Sequence, residues 1–92
     1  MINSIRHKGL KRLYETGDGR AISGNLRSKV EEILTVLDNA NSLDEIDFPG
    51  YRLHPLTGNL KGYWSMKVSG NWRIIFRFED GLIEDVDLVD YH

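Results

Sequence analysis

From residue 26 the apolar positions fall at Leu26, Val30, Ile33, Leu34, Leu37 and Ala40, in steps of 4, 3, 1, 3 and 3. That rhythm predicts an amphipathic helix of about four turns, with Asn25 or Ser23 as its N-cap. Upstream, Leu10, Leu13 and Tyr14 share helical spacing, Lys8, Lys11 and Arg12 take the other face, and Gly17-Asp18-Gly19 stops the helix. Residues 2–6 read as a short opening strand. Ser42-Leu43-Asp44-Glu45 has the form of a capping box opening one further helical turn, and Pro49-Gly50 breaks the chain.

After residue 50 the period changes. Tyr63 to Val68 alternates in type, Ser69-Gly70 makes a turn, and Trp72 to Phe78 is a strong strand. Glu79-Asp80-Gly81 is a hairpin signal. Leu82 to Val89 returns with period two, placing Leu82, Asp85, Asp87 and Val89 on one face, with Ile83, Val86 and Leu88 less regular. Helices followed by an antiparallel meander predict an α+β fold, an N-terminal αα-hairpin packed on a twisted antiparallel β-sheet. At this length residues 1–92 are expected to form one domain.

Composition narrows the classes. With no cysteine, a disulfide framework and a thiolate zinc site are both excluded. No apolar run approaches the roughly 20 residues of a membrane span, and no apolar segment follows the basic opening as in a signal peptide. A soluble, cytoplasmic protein without a membrane partner is the expectation. Net charge is −2, but residues 1–30 carry +5 and residues 31–92 carry −7. Such asymmetry suggests one surface that faces a polyanion, although Lys8, Lys11 and Arg12 equally suit a solvated helix face.

Neither metal-ligand spacing nor a phosphate-cradling loop is present, since Gly58-Asn59-Leu60-Lys61-Gly62 has no following helix. No cofactor is expected. The chemistry-bearing residues of the β half are His54, Lys61, Lys67, Arg73, Arg77, Asp90, Tyr91 and His92, all at strand or loop positions that one sheet face can bring together. Bland readings stand beside them. Arg73 could pair with Asp85 or Asp87 across the hairpin, Trp64 and Trp72 suit core or cross-strand packing, and His7 suits a helix surface.

Three motifs in order carry a family resemblance. The run from Tyr51 through His54-Pro55-Leu56 to Trp64-Ser65 is similar to the stretch opening the sheet in HigB-type toxins of the RelE/ParE superfamily. Ser69-Gly70-Asn71-Trp72-Arg73-Ile74-Ile75-Phe76 resembles their central strand, and Val89-Asp90-Tyr91-His92 their terminal one. The resemblance implies a toxin of a type II toxin–antitoxin system that acts as a metal-independent, ribosome-dependent endonuclease on messenger RNA. It also implies as partners a helix-turn-helix antitoxin of the HigA type, the small ribosomal subunit's RNA, and operator DNA reached only through the antitoxin complex. Thr57 stands where the family often carries a basic residue, a place Lys61 or Lys67 would fill.

Such a cut, by attack of the RNA's own 2′-OH, needs a proton acceptor, a proton donor and cations for the phosphorane. Imidazole suits both proton roles because it titrates near neutral pH, and His54 and His92 supply two. A guanidinium suits phosphate oxygens, which nominates Arg73. Asp90 would orient His92 or assist proton transfer, and Tyr91 would stack on a base or donate a hydrogen bond. Lys8, Lys11, Arg12 and Arg27 would steer the protein toward ribosomal RNA, with Lys61 and Lys67 as nearer RNA contacts. The rival readings are a ParE-like gyrase poison without nuclease activity and a non-enzymatic module that binds its antitoxin in operon autoregulation. His54 and His92 weigh against the first, because poisoning gyrase needs no proton-transfer pair.

Overall fold

Two helices form where the apolar spacing predicts them. A computed structural model describes residues 1–90, with α1 at Lys8–Thr16 and α2 at Gly24–Asn39. His7 begins α1 as its N-cap, its Nδ1 accepting the Leu10 N–H at 3.1 Å, so this histidine satisfies a helix end and is not a bystander on the helix surface. Gly17 ends α1 in a left-handed conformation (φ 79°), its N–H reaching the Leu13 carbonyl at 2.9 Å. Ser23 caps α2 by position, but its hydroxyl bonds to the Asn25 side chain and no side chain caps the backbone there. Between the helices, Arg27 folds back over Gly19 and donates to the Ile22 carbonyl at 3.0 Å. A Cβ at Gly19 would come within 2.8 Å of the Arg27 Cδ, so a side chain there would force Arg27 to shift.

The expected capping box is absent. Ser42 makes no capping bond, and the Glu45 carboxylate instead accepts from the Asn41 N–H at 3.1 Å over a 3₁₀ turn, Leu43–Ile46. Pro49 opens a second 3₁₀ turn, Pro49–Tyr51, as proline's fixed φ allows, so the expected break is a tight turn.

The sheet has four antiparallel strands in chain order: β1 (His54–Pro55), β2 (Tyr63–Ser69), β3 (Trp72–Glu79) and β4 (Leu82–Asp90). Where the sequence predicts a short opening strand, the opening segment makes only two isolated parallel bridges to β4, Ile2 to Ile83 and Ile5 to Val86. Its amides tie it down, Asn3 N–H to the Ile83 carbonyl at 2.7 Å and Arg6 N–H to the Val86 carbonyl at 2.8 Å. Leu10 and Leu13 of α1 and the apolar stripe of α2 share one core with Met66, Ile74, Phe76, Ile83 and Val86, so both helices cover the same sheet face.

The irregular period in β4 has a structural cause. Between Ile75↔Asp87 and Arg77↔Glu84 the register advances two residues on β3 and three on β4. Asp85 is the extra residue, with φ 54°. The bulge restores phase, so Ile83, Val86 and Leu88 are all buried despite the odd spacing of the first two. Glu84, not Asp85, thus continues the alternation of Leu82 before the bulge, and Asp87 and Val89 continue it after.

Candidate active site on the helix-free sheet face

Alternation along β2 and β3 sends Met66, Ile74 and Phe76 toward the helices and Tyr63, Ser65, Lys67, Arg73, Ile75 and Arg77 to the other face. Directly opposed residues of an antiparallel ladder share a face, so the register lays out three rows there. The middle row runs His54, Ser65, Ile75, Asp87. On one side lie Lys67, Arg73 and Val89, and on the other Tyr63, Arg77 and Glu84. Rows two residues apart lie about 6.6 Å from one another along the strands. Ser65 and Ile75, both buried, floor the middle row.

His54 stands exposed at the edge strand, with its Nδ1 2.9 Å from the Arg52 carbonyl oxygen. A carbonyl only accepts, so Nδ1 carries the proton, and in the neutral ring Nε2 keeps a free lone pair. Arg52 holds the carbonyl in place from a left-handed backbone position (φ 49°). Across the face, Arg73 opposes Val89 and makes no pair with Asp85 or Asp87; its Nη1 donates to the Gly70 and Trp72 carbonyls at 2.6 and 3.0 Å. The cross-hairpin ion pair belongs to Arg77, which binds Asp85 at 3.2 Å and also Glu79.

Of the remaining basic residues named from sequence, Lys67 joins this face directly opposite Arg73, and Lys61 is exposed just after the Gly58–Leu60 turn. Lys8, Lys11 and Arg12 are exposed on α1, on the helix side, and so stand apart from His54; Arg12 lies 3.6 Å from Asp18. Arg27 is half-buried in its bond to Ile22. Asp90 pairs in register with Trp72, one step past the Arg73–Val89 row, where alternation assigns it to the other side of the strand. Tyr91 and His92 lie outside the described residues. Trp64 is half-buried against the core, as expected of a packing residue, whereas Trp72 is exposed.

Glu84 and Asp87 share the face of His54 but lie on β4, two strands beyond β2 and at the opposite edge of the sheet, and both are engaged. Glu84 accepts from Asn3 at 2.6 Å and from the Ser4 hydroxyl at 2.8 Å, and Asp87 accepts from the Leu88 N–H. Two members of this face were not named from sequence. Arg6 donates to the Tyr63 hydroxyl at 3.3 Å, and this bond, with the Asp87 and Asp85 carboxylates behind it, raises the Arg6 guanidinium further above its ordinary value. Tyr63 was legible in principle from its parity with Ser65 and Lys67. Arg6 carries no such signal, since it arrives from the opposite end of the chain.

A family profile described as "RelE-like toxin of type II toxin-antitoxin system HigB" matches residues 3–92. The chain is 39% identical over 92 residues to "Endoribonuclease HigB" of Proteus vulgaris, covering all of both chains. It is 32% identical over 84 residues to "Toxin HigB-1" of Vibrio cholerae, covering 89% of this chain and 88% of that one. Among solved structures, the fold is shared with a heterotetrameric YoeB–YefM toxin–antitoxin complex from Staphylococcus aureus (TM-score 0.62, 18% identity, covering 100% of this chain and 98% of that one). The α+β arrangement of a helix pair on an antiparallel sheet is therefore that of RelE-like toxins, and the chain belongs to the HigB family of type II toxin–antitoxin systems.

Proposed function

We propose that this chain is an endoribonuclease that enters the ribosomal decoding site and cuts messenger RNA there by attack of the substrate's own 2′-OH. The products are a cyclic phosphate on one side and a 5′-OH on the other. The observation that carries this reading is full-length similarity, at 39% identity, to a protein named as an endoribonuclease. The tautomer of His54 supports it, because Nε2 is then free to accept the 2′-OH proton. In the same reading His92, oriented by Asp90, returns a proton to the departing 5′-oxygen, Arg73 stabilises the phosphorane, and Tyr91 stacks on or bonds to a base. This chemistry calls on no metal ion. Dependence on the ribosome follows if the message must be bent into line before the 2′-OH can attack.

Lys8, Lys11 and Arg12, exposed on α1, steer the protein to ribosomal RNA, with Lys61 and Lys67 nearer the substrate. Arg27, held to Ile22, serves that role least. The partner that neutralises the activity is a HigA-type helix-turn-helix antitoxin, and operator DNA is reached through that complex; the toxin–antitoxin complex of the Staphylococcus aureus structure supports such pairing. The cytoplasm is the compartment this reading requires. The test is primer extension on a reporter message after brief induction, comparing wild type with His92→Ala and His54→Ala. Cuts confined to translated RNA and lost in both variants are expected. Intact message with growth still arrested would move the target to gyrase or elsewhere and remove the catalytic roles together.

A further inference from the structure

Among the described residues the helix-free face carries four Arg and Lys side chains, Arg6, Lys67, Arg73 and Arg77, and their hydrogen bonds sort them. Arg77 is held by two carboxylates, Asp85 and Glu79, so its charge is already answered within the protein. Arg73 spends donors on two turn carbonyls but keeps its charge uncompensated by either of them. Lys67 stands beside it. Arg6 is different. It is an exposed guanidinium whose hydrogen-bond partner is a neutral phenol, Tyr63, at 3.3 Å. An aromatic hydroxyl fixes the guanidinium without neutralising it, and leaves most of its five donors for a ligand.

Position gives this pair its meaning. Tyr63 lies one row, about 6.6 Å, to one side of the His54 row, while Lys67 and Arg73 lie one row to the other side. An RNA strand crossing the middle row with its scissile phosphate near His54 therefore meets cations on both sides. On the Tyr63 side the row's own cation, Arg77, is occupied, and among the described residues Arg6 is the guanidinium that remains, with Lys61 exposed just before the strand. Asp87 and Asp85 favour the charged form of Arg6, but neither forms an ion pair with it, so the guanidinium stays open to a phosphate.

We propose that Arg6 and the Tyr63 hydroxyl form a phosphate subsite that holds the nucleotide next to the cleaved one. It is a binding site brought to the sheet by the N-terminal segment. The proposal rests on the endonuclease reading above and deepens it. Arg6 offers a bidentate, charge-assisted contact to two phosphate oxygens, and Tyr63 orients Arg6 or donates to a third.

The test is cleavage of a defined message on programmed ribosomes, with kcat and KM measured separately for wild type, Arg6→Ala, Arg6→Lys and Tyr63→Phe. Arg6→Ala is expected to raise KM roughly tenfold with kcat little changed, the mark of lost ground-state binding. Arg6→Lys should recover part of that loss, because it keeps the charge but not the fork. Removing one phosphate contact should also flatten the slope of log KM against log salt by about one. Tyr63→Phe keeps the ring and all charges, and should raise KM less than Arg6→Ala does. Wild-type cleavage with KM and salt slope unchanged in Arg6→Ala would overturn the subsite alone. A wild type that cuts no message at all would overturn the endonuclease reading and take the subsite with it.

Discussion

The Arg77 guanidinium lies 3.2 Å from the Asp85 carboxylate, and Asp85 is the residue at which β4 takes its extra step. One residue thus sets both the backbone bulge and the charge that pins Arg77. Aspartate tolerates the left-handed conformation (φ 54°) better than most residues, and a β-branched side chain does not. Asp85→Val should destabilise the fold by about 1–3 kcal/mol, whereas Asp85→Asn should keep the bulge and lose little. Urea denaturation of the two variants checks this; equal midpoints would show that the bulge is held by its neighbours and not by residue 85.

Asp38 joins three elements, accepting from the Ile2 N–H at 3.1 Å and the Tyr14 hydroxyl at 2.7 Å. The Ile2 bond first, and then the Tyr14 bond, hold its carboxyl below the usual aspartate range. The charged form is thus favoured in the folded state, so this stabilisation is present above the unfolded aspartate value of about 3.9 and is lost as pH falls through the lower native value. Asp38→Ala should cost about 1–2 kcal/mol at pH 7 and progressively less on acidification. Thermal unfolding at pH 7 and pH 3 measures it, and a variant penalty independent of pH would contradict the assignment.

Tyr51 is buried beneath Lys29, whose ammonium lies 4.8 Å from its ring centre, and its hydroxyl donates to Glu32. Burial, then the bond to Glu32, pushes its hydroxyl up to about 12. The protonated form is favoured, so this contribution is complete below the unfolded tyrosine value of about 10 and is lost as pH rises through the native value. Absorbance titration should show a late-ionising tyrosine that disappears in Tyr51→Phe. If the late step persists, it belongs to another ring.

His54 is exposed and bonded to one carbonyl, so removing it should leave the fold intact. His54→Ala should lower cleavage by about 10²- to 10⁴-fold, the usual worth of a positioned acid or base, with the urea midpoint unchanged. Replacement of His7, by contrast, removes an N-cap and should cost about 1 kcal/mol of stability with cleavage kept. A His54→Ala variant that cuts at the wild-type rate would place the proton acceptor elsewhere.

By itself the sequence determined what repeats along the chain. The stripe from Leu26 to Leu37 is buried as one face of α2, Gly17 stops α1, and β2, β3 and β4 fall where alternation and the hairpin turns put them. These depend on local sterics and on burying one periodic face, which neighbouring residues encode. His54, Lys67 and Arg73 were legible too, as polar residues at strand positions of a recognisable motif set. What periodicity alone could not yield was pairing across long separations. The β4 bulge shows only as a blurred period, because its phase is set by β3 on one side and Ile2 and Ile5 on the other. The Ser42–Glu45 motif matched a capping box, yet the turn there is 3₁₀ and Glu45 answers Asn41. Arg27, read as a surface cation, lies half-buried because the tertiary path of Gly19 leaves room for it. Most of all, only the folded chain decided which cations remain available. Arg77 is neutralised by Asp85 and Glu79, while Arg6 is carried to Tyr63 from the far end of the sequence, because a guanidinium's charge is answered by whatever lies within a few ångströms in space.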